Sequence, residues 1–157
     1  MTDPATGSEG ANSAAGGTGQ EHVERPAATA ADLQRLDHVR LELLRVHRAL
    51  LEVERARYEK AHGRIANNSA FLQLVINDPW FDWLRPMAQL VLLIDERTSD
   101  KQQPLGTAEA RSLFDRACSL LRADGDGDAF QRLYFQAIQQ SPALAVLARQ
   151  VAAGLIG

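Results

Sequence analysis

Leu36, Val39, Leu43, Val46, Leu50 and Val53 recur at alternating spacings of three and four. That is the rhythm of a helical seam, and it puts all six side chains on one stripe. Leu33, Leu41, Leu44 and Leu51 fall off the stripe. A helix apolar on several sides needs cover on several sides. Either it lies at the centre of a bundle, or a second copy of the chain covers the surplus. Thr29 or Asp32 can cap its start, because their oxygens accept free first-turn N–H groups. No Gly or Pro interrupts the run before Gly63, and His62 sits at the negative end of the helix dipole. A helix is predicted over residues 30–62.

The next apolar block, Phe71, Leu72, Leu74, Val75 and Ile76, is almost continuous, a pattern that buried helices and strands share. Helix is expected over 66–77, since a lone strand among helices would leave its backbone groups unpaired. Asp78–Pro79 reads as a cap followed by proline at the first helical position. From there Trp80, Trp83, Leu84, Met87, Leu90, Val91 and Ile94 share one helical face. Pro86 lies inside that span and removes the bond to the Asp82 carbonyl. A kink near Asp82–Pro86, or a short helix followed by a second, is expected. "TSDKQQPLG" reads as a loop.

Three further helices follow. Thr107 is expected to cap residues 108–122, with Ala110, Leu113, Phe114, Ala117, Leu120 and Leu121 inward. Residues 127–140 carry Phe130, Leu133, Tyr134, Ala137 and Ile138. Ser141–Pro142 starts a last helix to about residue 153, with Leu144, Leu147, Ala148 and Val151 inward and Gly154 as its stop. The expected fold is all-α: a five- to six-helix bundle with a long first helix as its spine.

The chain's 157 residues suit one domain. Residues 1–28 hold 5 of the 11 glycines and, as large apolar groups, only Met1 and Val23. Such a segment buries too little surface to offset its ordering entropy. It reads as a disordered tail, with one helical domain over 29–157. Asp3, Glu9, Glu21, Glu24 and Arg25 are the charges before residue 32, leaving 16 acidic and 16 basic groups in the remainder. The domain is thus formally neutral, which argues against a broad surface for nucleic acid or anionic membrane. No apolar run approaches the roughly 20 residues that cross a bilayer, and no secretory signal is expected. Cys118 is the only cysteine, so no internal disulfide can form, as suits a cytoplasmic protein.

Candidate chemistry is sparse. Asp124, Asp126 and Asp128 open like a calcium loop, but Ala129 and Phe135 stand where Gly and a bidentate Glu are needed. A solvated turn with Asp126 or Asp128 capping the next helix is expected instead. Glu59 and His62 form one E-x-x-H pair, where a di-iron bundle uses two; Glu96 is the weak third metal candidate. His38 and Glu42 share a face, and His47 gives them no zinc spacing. Cys118 lacks a nucleophile signature and reads as a small core residue. No cofactor fingerprint is present. Trp80, Trp83, Met87 and Arg85 form a candidate contact for a ligand or partner, although aromatics at helical spacing usually pack as core.

Asp78, Pro79, Trp80 and Phe81, then Trp83, Leu84, Arg85 and Pro86, then Asp95 and Glu96 resemble the mid-chain pattern of a family of small bacterial all-helical proteins. The resemblance implies a bacterial origin and a helical fold, and carries no activity. The function expected from these residues is non-catalytic: binding a protein partner, or self-association. The alternatives are a carboxylate–histidine metal bundle and an apolar ligand carrier at the tryptophans.

Overall fold

Thr29 begins the first helix with a reciprocal cap. Its Oγ1 accepts from the Asp32 N–H at 3.1 Å, and Asp32 Oδ2 accepts from the Thr29 N–H at 2.8 Å. Helix α1 runs Ala30–His62 and ends at Gly63, whose φ of 95° suits a residue without Cβ. The computed structural model describes residues 24–156. The expected disordered tail lies, over residues 1–23, outside them. Among the described residues the chain is all-α, with six α-helices and one 3-10 helix.

The end of that expected tail is tied down. The Ala28 N–H donates to the Leu105 carbonyl at 2.8 Å, and the Thr107 N–H to the Pro26 carbonyl at 2.9 Å. The Thr107 hydroxyl donates to the Ala27 carbonyl at 2.9 Å. Thr107 therefore does not cap the fourth helix; Gly106 stands at that cap, with no side-chain bond.

Leu36, Val39, Leu43, Val46 and Leu50 are at most 1% exposed, so the seam is the core side of α1. The spine packs against helices α3 (Arg85–Ser99), α4 (Thr107–Leu120) and α6 (Pro142–Ile156). Helix α5 (Ala129–Gln140) packs against α6 and closes the bundle. Its start is the Asp128–Gln131 capping box. These neighbours leave one side of α1 open: Leu33, Leu41 and Leu44 are 40%, 46% and 40% exposed, and Leu51 is half-buried.

Helix α2 (Asn68–Asn77) is capped by Asn67, whose Oδ1 accepts from the Ala70 N–H at 2.8 Å. Asp78 then starts a 3-10 helix over Pro79–Leu84, and α3 begins at Arg85. This is the short helix followed by a second. Pro86 sits in the first turn of α3, where a missing N–H costs no bond. The tighter coil changes which side chains are buried. At three residues per turn Phe81 lines up with Leu84. Phe81 is 2% exposed, whereas Trp80 and Trp83 are only half-buried. A single seven-residue face, as the sequence suggests, would leave Phe81 out.

Helix α6 continues through Gly154 to Ile156. A helical glycine costs about 1 kcal/mol relative to Ala. Leu155, packed against the core one residue later, offsets it.

Candidate functional site

Glu54 is the acid that the sequence pattern conceals. It is 2% exposed on the core side of α1. Its Oε1 accepts from Arg57 Nη1 at 2.7 Å and its Oε2 from Trp80 Nε1 at 2.8 Å. The indole is aimed by its own backbone: Asp78 Oδ1 accepts from the Trp80 N–H at 2.9 Å and fixes the start of the 3-10 helix. One clue to Glu54 lies in its spacing, four residues after Leu50 and eight after Val46. A straight helix drifts about 20° per heptad against a 3.5-residue seam. By Val53 the seam has turned about 60° off the core axis, and Glu54 lies about 40° from it on the other side.

Through Trp80 this carboxylate meets an aromatic group. Tyr58 and His62 stack with centroids 4.4 Å apart, and Trp80 meets both edge-on at 5.6 and 5.4 Å. Phe81 lies 5.7 Å from Tyr58. Beside the group an open groove of about 640 Å³ separates the end of α1 from α2, lined by Tyr58, His62, Ile65, Leu74, Asn77 and Asp78 among others.

The expected tryptophan cluster does not converge on that groove. Trp80 turns to Glu54, while Trp83 packs on Phe130 at 5.5 Å. Met87 is fully buried in the core. Arg85 bonds the Asp82 carboxylate at 2.8 Å on the surface. These four residues are thus split between the core, two neighbouring helices and solvent.

The metal candidates are also dispersed. Glu59 Oε1 accepts from the Ile65 N–H at 3.1 Å and pairs with Arg55 at 3.5 Å, and His62 stacks on Tyr58. Glu96 belongs to the other end of the spine. Its neighbour Asp95 pairs with Arg40 at 3.4 Å. Glu59 lies 19 residues beyond Arg40 on α1, a span of about 28 Å at the helical rise. Among the described residues no three His, Cys, Asp or Glu side chains are grouped to hold a metal. In the 124–128 turn, Asp124 Oδ1 accepts from the Asp126 N–H at 2.9 Å, and Asp128 caps α5.

Cys118 is half-buried, and burial followed by the Asp115 charge pushes its thiol above the ordinary value. That disfavours the thiolate a nucleophile requires. His47 is half-buried beside the core seam, and burial holds its imidazole below the ordinary value.

Tyr134 is wholly buried, and its hydroxyl has no hydrogen-bond partner. Burial pushes its pKa up to about 12. The shift favours the neutral phenol in the folded state, so this contribution is intact below the unfolded value near 10 and declines as pH rises towards 12. Tyr134→Phe removes an unsatisfied buried hydroxyl and should stabilise the fold by about 1 kcal/mol at pH 7. Urea denaturation at pH 7, 10 and 11.5 checks both parts: the variant's advantage should grow at the alkaline end. A constant difference across the three values would contradict the assignment.

No described helix is long and apolar enough to cross a membrane. The fold is that of a helical bundle whose longest helix shows leucines to solvent along one side. The chain matches no family model, no curated protein and no solved structure.

Proposed function

We propose that this chain is a non-catalytic contact module of the cytoplasm, which works by docking the outer side of α1 onto a protein surface, a second copy of itself first of all. The observation that carries the reading is the exposure of Leu33, Leu41 and Leu44, at 40%, 46% and 40%, on one long helix. Isolated surface leucines are ordinary, but three of them on the uncovered side of a single helix form a surplus that association can bury. The formal neutrality of residues 32–157 is compatible with a second copy as partner, because the chain's net charge of -3 resides in residues 1–31, outside the helical domain's balanced surface. The resemblance carried by residues 78–96 adds a bacterial origin to this reading.

Light scattering over a concentration series tests it. The molar mass should rise from monomer towards dimer, and Leu41→Glu/Leu44→Glu should hold the chain monomeric with its helix content intact. A wild-type chain that stays monomeric throughout the series would remove the self-association reading.

A further inference from the structure

We propose that α2 is a hinged lid, opening as a unit from the end of the bundle while the other helices stay packed. Each of the other helices buries at least two side chains in the core; α2 buries none. It is held by Phe71, Leu74 and Val75, all half-buried, and its main neighbour is the short 3-10 helix. Phe71 meets Phe81 edge-on at 5.7 Å and lies 4.8 Å below the Arg55 guanidinium. The one hydrogen bond from Arg55 to Asn68 is long, at 3.4 Å.

The seating is incomplete on the side facing α1. Ala70, Gln73 and Leu74 form one wall of the groove, and Tyr58 and His62 the other, with about 640 Å³ of open space in it. On another side Leu72 and Ile76 are 56% and 54% exposed. The ten residues of α2 include no charged side chain, so no ion pair on the helix reinforces it. A helix this short is marginal in water by itself. Local stability follows buried contact, and here that contact is small.

Ile65 is buried, and its N–H donates to Glu59 Oε1 at 3.1 Å, so the linker after Gly63 is anchored up to that point. The bend lies at Ala66 and Asn67, between this anchor and α2. On the far side Asp78 is extended between α2 and the 3-10 helix. Opening bares the ring of Phe81, so the surface uncovered is aromatic.

Hydrogen exchange of the full chain, read by mass spectrometry, tests the lid. Amides of residues 71–77 should exchange at least about 100-fold faster than those of residues 39–54. Phe71→Ala should quicken α2 about tenfold further and leave α1 unchanged. Protection of α2 within about tenfold of α1 in the wild type would overturn the proposal, as would a parallel rise in both helices in the variant. The wild-type comparison decides the matter even if the variant fails to fold.

Discussion

Leu43→Ala should lower the stability of this chain by about 3 kcal/mol, while Leu44→Ala, one residue later, should cost less than about 0.5 kcal/mol. Leu43 is fully buried against the bundle, and Leu44 is 40% exposed on the open side of α1. Truncating Leu43 removes transfer free energy and leaves a cavity that the surrounding helices only partly fill. Truncating Leu44 removes surface that water already reaches. Chemical denaturation of both variants, at a concentration where the chain is monomeric, measures the contrast. Equal losses would mean that α1 is covered on both sides within one chain.

Glu54→Ala should cost about 3 kcal/mol. Its carboxylate accepts from Arg57 and from the Trp80 indole, and is only 2% exposed. Arg57 is exposed and can return to water, so its share of the loss is small. Trp80 Nε1–H instead loses its one acceptor in a half-buried site, and a cavity opens behind it. Glu54→Gln keeps an acceptor for the indole and should cost about 1 kcal/mol. Thermal unfolding of the two variants, with tryptophan emission as a second readout, gives both numbers. A Glu54→Ala protein as stable as the wild type would show that the carboxylate is not what places Trp80.

Much of this architecture is legible in the sequence because local rules and global packing agree over long stretches. Thr29 with Asp32 and the isolated Gly63 fix both ends of α1, and its seam names the buried side. The departures share a cause: each depends on contacts distant in the chain or on a change of helical period. Phe81 becomes core only because the 79–84 segment coils at three residues per turn. Thr107 gives its hydroxyl to Ala27, 80 residues away. Gly154 stays helical because Leu155 has somewhere to pack.

The candidate site was legible in a different way. The surplus leucines of α1 are visible as an off-seam pattern, and the fold leaves Leu33, Leu41 and Leu44 uncovered. The tryptophan pair suggests a common pocket, yet Trp80 bonds Glu54 while Trp83 packs on Phe130. Glu59, His62 and Glu96 look like a partial ligand set only until the helices are placed, when Arg40–Asp95 shows α3 running back along the spine.

The claim at the centre of the account is that the outer side of α1 is a surface for contact. Its most direct test is the thermal midpoint of the full chain at protein concentrations a hundredfold apart, compared with Leu41→Glu/Leu44→Glu. Association linked to the native state makes the midpoint depend on concentration. The midpoint should climb with concentration in the wild type and stay fixed in the variant; identical, concentration-independent midpoints in both would leave α1 without a role in association.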